Sequence, residues 1–167
     1  MKTCLSLIAL FASLALVSAQ NFTVNLDRAQ EVPVPGASSG TGSGTLTLNA
    51  NNTVTYNITF ANLSSGINNA HIHGPSAPPG TPAGVLVALN FTAGQTSGTL
   101  SGTTAALSGA GLSSFLAGNT YVNIHTVNNP GGEIRGQILP VVPEPSTISL
   151  AALGLGSLLL WMRRRTA

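Results

Sequence analysis

Hydrophobic and polar residues alternate along several short segments of this chain, which is the pattern of half-buried β-strands. The clearest example is residues 53–60, where Val54, Tyr56, Ile58 and Phe60 alternate with polar residues. We expect these four side chains to face a core, because successive residues of a strand point to opposite sides. Similar short strands are predicted at residues 21–26, 44–48, 70–75, 98–102, 121–126 and 133–138.

Other segments predict turns, loops and a single helical turn. The asparagine-rich residues 49–52 predict a tight turn that joins two strands in a hairpin. Residues 84–89 are mostly apolar and predict a strand at the centre of a sandwich. Residues 112–118 place apolar side chains at helical spacing before a glycine, and Pro/Gly-rich residues 33–42 and 74–84 predict loops. The pattern predicts an all-β protein, an antiparallel Greek-key β-sandwich.

All three histidines lie in two of the predicted strands. His71 and His73 are two residues apart, so they share one face of their strand, and His125 shares a face with Tyr121 and Asn123. We expect the aliphatic residues of both strands to point inward and the imidazoles to point outward. The Pro-rich loop of residues 74–84 begins directly after His73 and is expected to cap this imidazole face.

Both ends of the chain resemble targeting segments. Lys2 precedes an apolar run at residues 5–17, and small residues follow it, which predicts a signal peptide over residues 1–19 with cleavage between Ala19 and Gln20. Export through the Sec machinery follows from this prediction. The signal is expected to be helical.

The C-terminal segment combines three features in order. Pro143, Glu144 and Pro145 precede an apolar run that predicts a hydrophobic helix at 147–162, and three arginines follow at 163–165. This arrangement over residues 142–167 resembles the PEP-CTERM sorting signal. The resemblance implies a bacterial protein that is held transiently in the inner membrane, is processed by an exosortase near the Pro-Glu-Pro motif, and then reaches the cell surface or the extracellular space.

The domain between these segments carries few charges. Residues 20–142 contain two arginines and three acidic residues, so the positive net charge of +2 belongs to the terminal segments. Nucleic-acid binding needs a basic face and is therefore excluded as a function class. The single cysteine, Cys4, lies in the predicted signal peptide, so no disulfide is expected in the domain.

The order of motifs from Ala70 onward resembles the CHRD domain, which is named from chordin. The motifs are AHIHGP at 70–75, LAGNTYVNIHT at 116–126 and NPGGEIRGQI at 129–138. The resemblance assigns residues 20–141 to one extracellular all-β domain. In chordin the context is binding of secreted growth factors, so a protein ligand is one implied partner, and an extracellular matrix polysaccharide is another.

A more distant resemblance is to copper/zinc superoxide dismutase, so the sandwich is expected to be either immunoglobulin-like or of this type. By this resemblance His71, His73 and His125 match three copper ligands. The chain differs from that family because it lacks a bridging histidine, a zinc ligand set and a cysteine pair. The family's active-site arginine falls near Glu133, whose carboxylate would repel an anionic substrate.

The histidines support two interpretations on chemical grounds. Three neutral imidazoles on adjacent strands could bind copper or zinc, and Glu133, Arg135 and Asn123 are candidates to orient them. Alternatively, the imidazoles hydrogen-bond the Pro-rich loop and hold it to the sheet. No catalytic motif is present. The sequence therefore predicts a non-enzymatic exported protein, with a metal-binding, redox-active domain and a protein-binding module as the alternatives.

Overall fold

The computed structural model describes residues 19–142, which form eight strands, one 3-10 turn and one α-helix. The strands are β1 (Gln20–Asp27), β2 (Thr41–Leu48), β3 (Val54–Ala61), β4 (Ile67–His73), β5 (Val85–Ala88), β6 (Gly98–Thr103), β7 (Tyr121–Thr126) and β8 (Ile134–Pro140). The 3-10 turn spans Arg28–Gln30, and helix α1 spans Gly109–Leu116. The predicted terminal helices and the Pro143, Glu144 and Pro145 motif lie outside the described residues.

The eight strands form one sheet in the order β5-β4-β7-β8-β1-β2-β3-β6. Every neighbouring pair is antiparallel. Buried side chains from β3 and from β7 belong to one hydrophobic cluster, although these strands are far apart in the strand order. The sheet therefore curls until its two halves face each other, which confirms the predicted antiparallel sandwich-type fold.

The β2–β3 hairpin forms as the sequence predicts. Leu48 pairs with Val54 across the turn. Asn52 in this turn has φ of 63°, a left-handed conformation that asparagine tolerates better than most residues. In β3 the odd and even positions differ in burial as expected, since Val54, Tyr56, Ile58 and Phe60 are buried and the residues between them are exposed.

The core lies between the facing halves of the curled sheet and is closed at one end by α1. The Phe115 ring of this helix lies 4.5 Å from the Phe22 ring of β1, measured between centroids. Helix α1 begins three residues before the predicted helical turn and ends at Leu116, just before Gly118, whose φ is +73°. The predicted helical element is confirmed, with an earlier start.

Strand β5 is not at the centre of the sandwich, so this prediction is wrong. It is the first strand in the sheet order and pairs only with β4 within the described residues. Val85 is 55% exposed. The apolar run misled the prediction because Leu86 and Val87 pack against the core from the sheet edge while their neighbours meet solvent.

The outer face of β4, β7 and β8 carries the imidazoles and is covered by loops. All six residues of β7 are buried. Loops that follow β4 and precede β8 lie over this face and contribute backbone carbonyl groups to its side chains. The protein thus has a second, polar interior on the side of the sheet opposite the hydrophobic core.

Within residues 19–142, no helix is both long enough and apolar enough to cross a membrane. The apolar runs of the predicted signal peptide and of the sorting signal lie outside this range.

Candidate metal site formed by three histidines

The three histidines meet on the covered outer face of β4 and β7. The register pairs Asn69 with His125 and His71 with Asn123, so His71 and His125 are diagonal neighbours on adjacent strands. Nδ1 of His71 lies 3.2 Å from Nε2 of His125. One ligand nitrogen from each of the three rings lies within 4.8 Å of the other two. The expectation that His71 and His125 face the same way on neighbouring strands is confirmed.

Backbone carbonyl groups fix the orientation of two of these imidazoles. Nδ1 of His73 lies 2.9 Å from the Ala83 oxygen, and Nδ1 of His125 lies 3.0 Å from the Pro130 oxygen. A carbonyl oxygen can only accept a hydrogen bond, so each Nδ1 carries the proton. In the neutral ring the lone pair is then on Nε2, and the buried Nε2 of His73 has no hydrogen-bond partner among the described residues.

The surroundings keep all three imidazoles neutral near pH 7. Burial lowers the pKa of His71, and the charges of His125 and His73 lower it further. Burial also lowers the pKa values of His73 and His125, and their carbonyl hydrogen bonds only partly oppose this. Neutral imidazole is the form that binds a metal ion. The site therefore presents lone pairs rather than charges.

Access to the cluster is from the β5 edge. His73 and His125 are each 8% exposed, whereas His71 is half-buried. On β5 the residue that pairs with His71 is Ala88, which is small and exposed. His71 is therefore the most exposed member of the cluster.

An aromatic ring and a guanidinium group support His73 on its buried side. The Tyr121 ring stacks on His73 at 4.9 Å between centroids and 8° between planes. Cζ of Arg135 lies 3.5 Å from the centroid of the Tyr121 ring, and Arg135 donates a hydrogen bond of 2.9 Å to the Thr81 oxygen. Arg135 is only 2% exposed. Its side chain lies on the histidine side of the sheet.

The Pro-rich loop of residues 74–84 covers the cluster, as predicted. Its Ala77, Thr81 and Ala83 oxygens accept hydrogen bonds from Gln137, Arg135 and His73, respectively. The loop is therefore held to β4 and β8 through its backbone rather than through its side chains. This explains why the sequence of the loop gave little indication of its contacts.

Glu133 does not orient His125, and that prediction is wrong. Both ring nitrogens of His125 already have partners, the Pro130 oxygen and His71. The buried Glu133 carboxylate instead accepts five hydrogen bonds from surrounding loop and strand residues, which are Ser38 Oγ, Ser64 N, Ser64 Oγ, Thr126 Oγ1 and Asn129 Nδ2. Burial by itself raises the pKa of Glu133, but these hydrogen bonds outweigh it and lower the pKa. Arg135 is held by Tyr121 and Thr81 instead of Glu133.

Glu31 is part of the buried polar interior, although nothing in its local sequence indicates this. Glu31 is 4% exposed and Asn123 is 3% exposed. A side chain at Gly132 would meet Glu31 Oε2 and Asn123 Nδ2, so both groups converge on this glycine. Burial raises the pKa of Glu31 to about 7, although the Arg135 charge acts in the opposite direction. Only the loop packing, which no local pattern encodes, buries this carboxyl group.

The raised pKa of Glu31 predicts a pH-dependent stability. The pKa of Glu31 is about 4.5 when it is exposed and about 7 in the folded protein. The contribution of this group to the free energy of unfolding is therefore fully present below pH 4.5 and is lost as the pH rises through 7. In urea unfolding, Glu31→Gln should gain on the order of 2 kcal/mol relative to wild type between pH 4.5 and pH 8. Glu133→Gln is the control with the opposite sign, because its lowered pKa stabilises the wild type above pH 4.5. A pH-independent difference for Glu31→Gln would contradict the assignment.

The fold and the cluster define an all-β domain with a three-histidine group under a Pro-rich loop. The CHRD domain model matches residues 22–138, and the PEP-CTERM protein-sorting motif matches residues 141–165. The chain therefore belongs to the CHRD domain family, and its sorting motif makes it an exported protein that an exosortase processes. No curated protein and no solved structure matches the chain.

Proposed function

We propose that this protein is a non-enzymatic extracellular domain that holds one copper or zinc ion through His71, His73 and His125. The observation that carries the proposal is the arrangement of ring nitrogens. The Nδ1 atoms of His73 and His125 donate to carbonyl groups, so both Nε2 lone pairs point towards the cluster. The lone pair of His73 has no partner among the described residues, and that of His125 accepts only from His71 Nδ1, a hydrogen bond that an ion bound by both rings would replace. Ligating histidines in metalloproteins commonly donate their second nitrogen in this way.

The distances in the cluster are compatible with one bound ion. Metal–nitrogen bonds of about 2.0–2.1 Å and a tetrahedral angle place two ligand nitrogens about 3.3 Å apart. His71 Nδ1 and His125 Nε2 are 3.2 Å apart. The group as a whole spans up to 4.8 Å, so small rotations of the rings would bring all three nitrogens to one ion. Glu133, Arg135 and Asn123 are not needed as ligands in this proposal.

Metal binding should raise the melting temperature of the protein. An ion that binds only the folded state stabilises it by about 2.7 kcal/mol at 100 times its Kd, which corresponds to roughly 10 °C for a domain of this size. His71→Ala should abolish the rise, because it removes a ligand that is half-buried and has no carbonyl partner among the described residues. Scanning calorimetry with and without Zn(II) or Cu(II) measures the effect.

The matched control is Asn68→Ala, an exposed position three residues before His71 on the same strand. It should retain the full rise. If the wild type shows no rise with either ion, or if His71→Ala retains it, the metal proposal is wrong. The alternative, in which the imidazoles only anchor the loop, predicts that His73→Ala lowers the melting temperature equally with and without metal.

We also propose that the C-terminal sorting segment is removed and that the domain then resides at the cell surface or in the extracellular matrix. The sorting motif over residues 141–165 supports this order of events. In a host that has an exosortase, the mass of the exported protein should lack the segment from about residue 148 to 167. An exported protein that retains Arg163 to Arg165 would contradict the proposal. In a host without the enzyme, the uncleaved precursor should fractionate with the inner membrane.

A further inference from the structure

The charges around the three histidines indicate which ion the site would select. We propose that the site binds monovalent copper, Cu(I), in preference to Cu(II) and Zn(II). This inference rests on the proposed metal-binding function and concerns its selectivity.

A buried positive charge lies against the aromatic ring that stacks on His73. Arg135 is 2% exposed, and its guanidinium group lies 3.5 Å from the centroid of Tyr121, whose ring stacks on His73. A fixed cation repels a bound metal ion in proportion to the charge of that ion. Screening by water and salt is weak at such a buried position. Arg135 therefore disfavours a divalent ion more than a monovalent one.

The described residues offer little negative charge to offset Arg135. Glu133 is bound by five donors away from the histidines. Asp27 is the register partner of Arg135 on β1, and its carboxylate accepts two hydrogen bonds from Gln30. Glu31 is the carboxyl group whose pKa responds to Arg135, and burial leaves it mostly uncharged at pH 6. Of the described charged groups outside the cluster, Arg135 is thus the one whose charge acts on His73, where it lowers the pKa of the imidazole.

The ligands themselves cannot neutralise the ion. Three imidazoles are neutral donors, so a bound ion keeps its whole charge in a site where two of the rings are 8% exposed. The cost of burying an ion rises steeply with its charge. Zn(II) also favours four ligands, whereas Cu(I) is stable with three nitrogen donors. Coordination number and charge therefore favour the same ion.

The experiment measures the dissociation constants of Cu(I), Cu(II) and Zn(II) for the processed, exported protein at pH 6. Cu(I) is measured anaerobically by competition with the chelator bathocuproine disulfonate, and the divalent ions by calorimetry. We expect Cu(I) to bind at least 100-fold more tightly than Zn(II). Arg135→Gln should lower the ratio of Cu(I) to Cu(II) affinity about tenfold, which equals about 59 mV in the one-electron potential.

Two variants separate charge from packing. Arg135→Lys keeps the positive charge and should keep most of the Cu(I) preference. Arg28→Gln should not change the ratio, because Arg28 contacts the Pro35 and Gly36 oxygens instead of the histidine side. If Arg135→Gln does not fold, Glu31→Gln at pH 8 replaces it, and removal of that negative charge should raise the Cu(I) preference.

The outcomes distinguish this inference from the function on which it rests. If none of the three ions binds, the proposed metal function is wrong. If Zn(II) or Cu(II) binds more tightly than Cu(I), the site holds metal but the selectivity is wrong. If the wild-type preference for Cu(I) persists unchanged in Arg135→Gln, the buried guanidinium charge is not the cause of that preference.

Discussion

Glu133→Ala is expected to lower the free energy of unfolding by about 4 kcal/mol, because it removes the common acceptor of a buried hydrogen-bond network. Glu133 is completely buried. Its carboxylate joins segments that are distant in sequence, since its donors lie at Ser38, Ser64, Thr126 and Asn129. Without it, the buried hydroxyl of Thr126 and the backbone N–H of Ser64 lose their acceptor. Urea unfolding monitored by circular dichroism measures the loss.

Asp27→Ala is the matched control for Glu133→Ala. Asp27 also accepts hydrogen bonds, but both come from Gln30 within the adjacent 3-10 turn. Loss of such a local cap costs about 1 kcal/mol. The destabilisation by Glu133→Ala should also shrink in acid, since protonation of the wild-type carboxylate weakens the same hydrogen bonds. Similar losses for the two variants would mean that the network around Glu133 contributes little.

Phe60→Ala is expected to destabilise the protein by about 3–5 kcal/mol, since it empties a fully packed aromatic site. Phe60 is 4% exposed and belongs to the hydrophobic core. Its register partners are Gly42 on β2 and Gly98 on β6, so no neighbouring side chain at these positions can fill the space left by the ring. The remaining cavity should therefore collapse only partly.

Thr59→Ala is the control for Phe60→Ala, because Thr59 is the adjacent residue on the exposed face of β3. Its hydroxyl donates only a long, exposed hydrogen bond of 3.3 Å to the Ser43 oxygen. The expected change is within about 0.5 kcal/mol. Equal losses for Phe60→Ala and Thr59→Ala in urea unfolding would contradict the assigned faces of β3.

The alternation of residues predicted the strands and their core-facing sides because it is a local property of the chain. Val54 to Phe60 is the best case, and Ile134 and Ile138 of β8 also belong to the hydrophobic core. The same argument placed His71 and His73 on one side of β4. The local pattern is sufficient to predict the faces of a strand because the period of two residues follows from strand geometry alone.

Whether the second face of a strand is covered depends on loops that fold back onto it, and alternation contains no information about them. Tyr121, Asn123 and His125 alternate with aliphatic residues as on a solvent-exposed strand, yet all six residues of β7 are buried. The covering groups are mainly backbone carbonyls of residues 77–83 and Pro130. Backbone carbonyl groups are the same in every residue. The sequence therefore cannot indicate which of them will cover the outer face of the strand.

The sequence by itself determined the strand faces, the grouping of the histidines into two strands and the presence of the C-terminal sorting motif. Only the tertiary structure decided that β4 pairs with β7, which brings His71 and His125 together across 54 positions of sequence. It also separated Glu133 from the histidines and placed Arg135 and Glu31 in the buried polar interior. The physical reason is that strand pairing and loop packing depend on the whole chain, whereas alternation depends only on neighbouring residues.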